Sequence, residues 1–514
     1  MKLKSTGLLL VTLFLVTAIA YGQAGKGKFG YEDGQPQSDS TLLGPPWNQA
    51  TFSLLNDSGQ GTYWLKSFVS DPLFKRTRLI DQLELNPHLL FATAHKNNSG
   101  NNYFIHGGGG NLRYQHTNDF VFDASFVVFR QSGSHSDSLR TSKNLLKGTY
   151  YSKRETNGYS ALDVRLNATY KPSRFFQISA GIDNHFVGDG YHSVILGGQA
   201  PPNPYGQLST SFWKIDYNVG YHFLSDVAWP DLSSTYRKYM TTHQLNVRLH
   251  PKFHVYVYEA VVWKQEDSIA QRGYDLSYLN PVIFFRPVEF QLGSPSPDNV
   301  LLGMGFRWQL SNWTRVYGQT MLDEFYLEEI TSSKGWWANK YAVQLGVKNH
   351  FNMGDHAFTL IGEFNMARPF TYSHIGSMQN YGNRYTPLAH PLGANFGEFL
   401  FIMNWHWKRF RVLTRVAYAQ VGQGDEVNYG QNIYRSYTDR QAEYGHNWLQ
   451  GKLHDGFSGD IRLSYIVNPE MNLNVSLGVR KAENFDPTGF NSQEIYLRLS
   501  SFLTSGMKQI YRTR

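Results

Sequence analysis

The sequence predicts an all-β fold: a large, closed, antiparallel transmembrane β-barrel. Three observations carry that expectation. Short segments along most of the chain alternate apolar and polar residues. Aromatic residues and glycine are abundant and charge is sparse, with 33 Tyr, 34 Phe, 12 Trp and 47 Gly against 17% charged residues. Beyond the N-terminal run LLLVTLFLVTAIA, Lys, Arg, Asp or Glu interrupts every apolar stretch, and a membrane-crossing helix needs ~20 apolar residues in a row.

The alternation is clearest in NLNVSLGVR, where Leu473, Val475, Leu477 and Val479 share one face and Asn474, Ser476, Gly478 and Arg480 the other. Successive strand residues point to opposite sides of a sheet, so one face suits lipid and the other water. QEIYLRLS sets Ile495, Leu497 and Leu499 against Tyr496 and Arg498, and DVRLNATY sets Val164, Leu166 and Ala168 against Arg165, Asn167 and Thr169. FWKIDYNVGYHF reads as one strand with Trp213, Ile215, Tyr217, Val219 and Tyr221 on one side. QLNVRL, FHVYVY, YAVQLGV, FRVLTRVAY and DIRLSYIV bring the segments to nine. A soluble sandwich also alternates, but it rarely continues past ~250 residues as one domain. A propeller repeats every ~40 to 50 residues, and the chain shows no such repeat. From 83 to 503 the pattern runs without a linker, which at ~10 residues per strand gives roughly 16 to 20 strands, in an even number.

The rest of the chain divides around this wall. Residues 1–22, with Lys2 and Lys4 ahead of a short apolar run and small residues after it, read as a secretory signal cut near Gln23. The chain has no cysteine, which excludes a lipidated signal and a disulfide framework. Residues 23–45 read as a flexible arm, 46–82 as the place for one or two short periplasmic helices, and 504–514 as a basic tail. The net charge of +8 becomes +6 once Lys2 and Lys4 leave (8 minus 2). That modest, dispersed excess suits acidic polysaccharide or lipid head groups and is no nucleic-acid footprint.

One stretch fits neither strand nor helix. In YLNPVIFFRPVEF, four apolar residues lie between Pro281 and Pro287 with Arg286 at their end. Proline at both ends denies a central strand its donors. Irregular backbone of this kind is tolerated at membrane depth only where protein or a water-filled cavity covers it, which predicts a place at a rim or in the lumen.

That stretch and the motifs around it, YDLSYLNPVIFFRPVEF followed by DNVLLG, RVYGQTMLDEF, WANKYAVQLG, ARPFTYSH, LAHPLGANFGEF and GIDNHFVGDGYHSVILG, resemble the capsule-assembly Wzi-like outer-membrane proteins. Within that family the likeness is greatest to the RemB-like gliding-motility branch of Bacteroidota. It covers residues 175 to 400 well and the rest loosely. GGQAPPNPYG, with its extra prolines, departs from the pattern, as does the basic tail after Phe502. The resemblance implies a barrel of about 18 strands with a small periplasmic helical element. It further implies contact with outer-membrane lipid, binding of surface polysaccharide without cleavage, and motility or secretion proteins as partners.

Sugars stack their ring faces on aromatic side chains and pair their hydroxyls with Asn, Asp and Arg, whose fork also matches an acidic sugar's carboxylate. Within the resembling motifs the carbohydrate-binding candidates are Arg286, Asp298, Asn299, Arg368, Tyr372, His374 and Asn395. The competing role for each is to brace the lumen. Catalysis finds little support. Asp323 and Glu324 are adjacent and on a strand would point to opposite faces, so they cannot flank one glycosidic bond; Glu328, Glu363 and Glu398 stay open as lumen carboxylates. Ser373 and His374 are neighbours too, a poor start for a lipase. No spacing among the 18 histidines makes a metal template. GGGG at 107–110 lacks the Lys-Ser/Thr of a phosphate loop and reads as a turn or a crowded wall position. The expectation is a non-enzymatic barrel without cofactor or metal; a porin or a secretion subunit is the alternative, and a glycoside hydrolase stands behind both.

Overall fold

The computed structural model describes residues 83–96, 101–116, 119–132, 150–155, 158–227, 235–265, 273–280, 298–324, 326–332, 334–424, 426–469, 473–483 and 492–501. The expected signal, arm and periplasmic helices, the Pro281–Pro297 stretch with Arg286, and the basic tail lie outside them.

Eighteen strands form the wall. They are β1 (Leu83–Lys96), β2 (Asn101–Gln115), β3 (Phe120–Ser132), β4 (Gly158–Tyr170), β5 (Phe176–Asp183) and β6 (Asn203–Phe212). Next come β7 (Ile215–Val227), β8 (Thr235–His250), β9 (Phe253–Lys264), β10 (Asn299–Gln309), β11 (Thr314–Leu322) and β12 (Tyr341–Met353). The ring ends with β13 (His356–Ala367), β14 (Phe396–Trp407), β15 (Phe410–Gln423), β16 (Lys452–Asn468), β17 (Leu473–Glu483) and β18 (Ser492–Ser500). Each pairs antiparallel with its neighbours, and β18 returns to β1 from Leu90↔Ser500 to Lys96↔Glu494. A further short strand, Tyr151–Glu155, pairs only with β4. Closure leaves the ring without an edge, which a lipid environment requires because no water there can satisfy a free backbone donor.

The period-two pattern becomes the two faces of this wall. On β17, Leu477 is 54% exposed on the outside while Ser476 beside it is 1% exposed within. Val475, Val479, Ile495 and Leu497 continue the apolar exterior, and Arg480, Tyr496 and Arg498 face inward. FWKIDYNVGYHF is divided, however. A turn at Trp213–Lys214 separates β6 from β7, with Trp213 in the left-handed region at φ 54°, so the alternation is continuous in sequence but the chain reverses.

The turns at 213–214, 251–252, 354–355 and 408–409 all lie at one end of the barrel, where β1 also begins and β18 ends. The longer connections, among them 184–202, 323–340, 368–395 and 424–451, lie at the other. In barrels of this kind the short turns are periplasmic and the long loops extracellular. A concavity of about 710 Å³ is a dent on the lipid side where Gly318 and Thr320 leave room between Met304, Phe306, Leu345 and Val257. It is apolar, stands in the path of acyl chains and offers no chemistry.

The glycine run proves to be a crowded wall position. A Cβ on Gly109 would lie 2.0 Å from the Phe126 carbonyl and one on Gly107 2.4 Å from that of Val128. Gly109→Val should therefore disrupt the β2–β3 seam and cost roughly 1–3 kcal/mol or more, read as loss of the folded, heat-modifiable band on a gel. Gly206→Ala, where nothing lies within 4 Å, should keep that band.

Candidate functional site

Two long connections turn into the lumen. Residues 184–202, between β5 and β6, and 368–395, between β13 and β14, are buried along most of their length. The first crosses to the far wall, where inward side chains meet its backbone. Glu363 on β13 accepts the amides of Tyr191 and, at 3.2 Å, His192, together with the Tyr317 hydroxyl at 2.7 Å. Gln319 on β11 accepts Val194 N at 3.2 Å and donates to Val187 O at 2.9 Å. Gln344 on β12 donates to His192 O at 2.9 Å. The second loop is pegged to the first by Tyr372, whose hydroxyl donates to Val194 O at 2.6 Å, and by Gly197 N donating to Leu388 O at 2.7 Å. Val194, Ile195, Met240, Leu301, Met321 and Phe396 pack around these bonds in one apolar cluster. The lumen is filled on its long-loop side.

At the junction of both loops with the wall stands Glu398 on β14. Its carboxylate accepts His390 Nε2 at 2.9 Å and Asn365 Nδ2 at 3.0 Å, and His192 Nε2 is 3.8 Å away. The donor atoms of His192, His390 and Glu398 all lie within 4.8 Å of one another, a juxtaposition that positions 192 and 390 conceal in the sequence. The hydrogen bonds make it a clamp. His390 Nδ1 accepts the Leu392 amide at 3.3 Å, which leaves the ring proton on Nε2, pointing at the carboxylate. Glu363 and Glu398 are thus both engaged in holding loop to wall, and Glu328 lies apart, exposed on the single helical turn Leu327–Thr331.

Asp323 and Glu324 correct the strand-based expectation. They lie beyond Leu322, where β11 has ended and the chain turns, so both carboxylates reach Lys340, at 3.1 and 3.3 Å. Lys340 is fully buried, donates to Ser373 O at 3.0 Å and lies 4.9 Å over the Tyr437 ring. Asp323 accepts Tyr372 N at 2.7 Å. Burial holds the Asp323 carboxyl up at about 6 against the pull of Lys340. Burial, with Lys340 nearby, pushes His374 down to about 3, so its ring stays neutral and accepts Gly376 N at 3.3 Å.

Above this anchor the loops present aromatic side chains to the outside. Tyr326 is 54% and Tyr444 47% exposed, and half-buried Trp336 lies 6.3 Å from Tyr326, edge to face. Trp337 forms the floor, 4.5 Å from Tyr437 and 6.2 Å from Phe370. Arg440 stacks over Trp337 at 4.1 Å and pairs with Glu443, which also accepts Trp337 Nε1 at 2.8 Å. Tyr444 donates to Glu329 at 3.2 Å. None of these residues stood among the sequence candidates. The visible signal was the adjacent Trp pair in SSKGWWANK, set in a polar loop.

The sequence candidates are dispersed. Arg286 lies outside the described residues. Asp298 and Asn299 are adjacent but diverge, Asp298 accepting the Tyr278 hydroxyl at 2.6 Å and Asn299 donating to Gln379 O at 2.9 Å inside the lumen. Tyr278 itself lies 4.7 Å from Trp263 on the outward side of the wall. Asn395, with φ 53°, bonds Gly422 O, Gln450 O and Gln450 N at 2.8, 2.9 and 3.2 Å. Tyr372 and His374 are buried as described above. Of the described candidates Arg368 alone is half-exposed, donating to His446 O at 2.9 Å from a position 5.5 Å over the Tyr341 ring.

No family model and no curated protein matches the chain by sequence. Among solved structures it is similar to Wzi of Escherichia coli, described as a carbohydrate-binding β-barrel of group 1 capsule assembly, at 12% identity and TM-score 0.52 over 82% of this chain and 85% of that one. It is also similar to OprD of Pseudomonas aeruginosa (11%, TM-score 0.42, 83% and 97%) and OccAB4 of Acinetobacter baumannii (8%, 0.44, 82% and 97%). The Wzi likeness shows the fold: an outer-membrane type of barrel with 18 strands. The other two are too distant in shape to add to it.

The Asp323 anchor makes stability depend on pH with a definite sign. Its folded value of about 6 lies above the ordinary carboxyl value of ~3.9, so the fold favours the protonated form. That contribution is complete below pH ~4 and is lost as pH rises through about 6, at most about 3 kcal/mol in all. In melting of the detergent-solubilised barrel, the advantage of wild type over Asp323→Asn should shrink from pH 4 to 7.

Proposed function

We propose that the protein is a non-enzymatic outer-membrane barrel that holds surface polysaccharide on its long-loop face. One observation carries the reading: exposed Tyr326 and Tyr444 with half-buried Trp336, edged by Arg440, Glu443 and Glu329, form a sugar-type surface above a lumen that two loops fill. Aromatic faces supply stacking area at little conformational cost, and the ion-paired edge supplies donors and acceptors for hydroxyls. The carbohydrate binding ascribed to Wzi agrees with this reading.

The site therefore moves from the buried candidates to the platform. Tyr372 works from within, setting the turn on which Phe370 supports Trp337. Arg368 borders the platform through His446, which packs edge-on against Phe370 at 5.3 Å. The motif likeness to the gliding branch extends the proposal to adhesion during surface movement. A porin requires an open path, and the inward loops favour a closed one.

Trp336→Ala combined with Tyr444→Ala should weaken retention of cell-surface polysaccharide by roughly tenfold, about 1.4 kcal/mol, in a glycan array or a capsule pull-down, with the folded gel band unchanged. Unaltered retention in a folded, surface-exposed double variant removes the platform from the reading. Large steady currents from the wild-type protein in a planar bilayer would favour the porin, and new reducing ends on incubated polysaccharide would favour an enzyme. Deletion of the protein, followed by polysaccharide staining and tracking of cell spreading on agar, tests the extension to motility.

A further inference from the structure

The underside of the inward loop carries a second feature, at the opposite end of the lumen from the platform. The loop reaches its lowest point at Gly188-Asp189-Gly190. Gly188 has φ 129°, a region that side chains rarely enter, and a Cβ there would lie 1.7 Å from Gln319 Nε2. A Cβ on Gly190 would lie 2.6 Å from Glu363. The two glycines press the backbone against the wall and leave Asp189 projecting between them.

Three cations on adjacent strands converge on Asp189. Arg315 of β11 reaches its carboxylate at 3.3 Å and Arg307 of β10 at 3.7 Å, while Lys348 of β12 donates to its carbonyl oxygen at 2.9 Å. Arg315 and Lys348 are direct cross-strand partners, an arrangement of like charges that costs energy unless an anion lies between them. His254 faces Arg307 at 2.8 Å and Gln309 faces Arg315 at 3.0 Å. Glu363, higher up, is already bound to Tyr317 and two amides. Among the described residues, then, two guanidinium groups lie within ion-pair distance of one carboxylate, while Lys348 binds the carbonyl of the same residue, so positive charge outnumbers negative around Asp189. Arg315 keeps 34% of its side chain exposed and Arg307 19%, toward the short-turn mouth.

We propose that Arg307, Arg315 and Lys348 form an anion-binding site in which Asp189 stands in for the ligand, and that a carboxylated or phosphorylated chain entering from the short-turn side competes with Asp189 and loosens the inward loop. A guanidinium pair plus an ammonium suits either anion, since arginine offers forked donors and lysine a point charge. The loop is held above this point mainly by backbone bonds to Glu363, Gln319 and Gln344, so the Asp189 contact is the part that an anion can replace. This inference is independent of the polysaccharide platform.

The test uses the full-length protein in detergent with oligogalacturonate and polyphosphate as probes and maltooligosaccharide as the neutral control, followed by calorimetric titration. Both anions should bind, more weakly as salt rises, and the neutral sugar should not. Arg315→Gln and Lys348→Gln should each weaken binding about tenfold, whereas Asp189→Asn, which vacates the site, should tighten it about tenfold. The opposite signs separate a site from a folding defect. The chain has no cysteine, so Val194→Cys, at a fully buried position, serves as a reporter of loop release. Its labelling by a water-soluble maleimide should accelerate in the Asp189→Asn background and, with wild-type Asp189, on addition of the anion that binds. Binding of one anion class alone identifies the source. If neither anion binds wild type or Asp189→Asn, or if Asp189→Asn binds no tighter than wild type, the proposal is overturned, whatever Trp336→Ala does to capsule retention.

Discussion

The structure depends on one constraint: irregular backbone inside a membrane barrel must find a partner for each amide and carbonyl, because unmet groups there cost several kcal/mol each. The wall meets this by closing on itself. The inward loop 184–202 cannot, having almost no ladder of its own, and takes its partners from the side chains of Glu363, Gln319 and Gln344. Those long polar side chains on three nearby strands explain how the lumen face can be polar yet buried. Apolar residues such as Val194 and Ile195 then pack into the space that satisfied polar groups leave.

The same constraint accounts for where strain and buried charge sit. Phe370, Tyr372, Arg384, Tyr385 and Asn395 all have positive φ and all belong to the loop that caps the plug. Left-handed conformations in residues other than glycine persist only where the surroundings fix them, and each of these sits against fixed partners. Arg384 N donates to Ser225 O at 2.7 Å and Tyr385 N to Asp226 at 2.7 Å, which ties the far end of this loop to β7. Asp226 in turn holds the fully buried Lys238 at 2.9 Å. Buried ion pairs of this kind contribute little net stability, but losing one partner is costly, so they fix where the loop lies more than how firmly it is held.

What was legible in the sequence follows from range. Alternation is local and the wall is built from it, so Leu477 against Ser476 or Ile495 against Tyr496 could be read directly. Trp213 shows the limit, because an unbroken alternation does not reveal that the chain has reversed. The loops have no period, and their contacts span the chain: Tyr372 meets Val194, and His390 joins Glu398 and His192. Residue chemistry at Arg368, Tyr372 and Asn395 suggested sugar contacts, but Tyr372 and Asn395 are buried within the plug and Arg368 only borders the platform. The exposed aromatics that replace them lie in 326–337 and 437–444, stretches whose polar composition reads simply as loop. Gly188-Asp189-Gly190 falls within GIDNHFVGDGYHSVILG, yet nothing in its spelling shows that Arg307, Arg315 and Lys348 await it.

Platform and latch act on one body from opposite ends. Phe370, under Trp337, and Tyr372, bonded to Val194, belong to a single tight turn fixed by Asp323. A ligand that binds only the ordered platform stabilises that order by mass action, and the turn passes the gain to the peg that holds the inward loop. An anion at the short-turn mouth competes with Asp189 and acts against the same loop from below. The two sites therefore pull with opposite signs on one equilibrium, so sugar bound outside should raise the anion concentration needed to release the loop inside, by the reciprocity that any such linkage obeys.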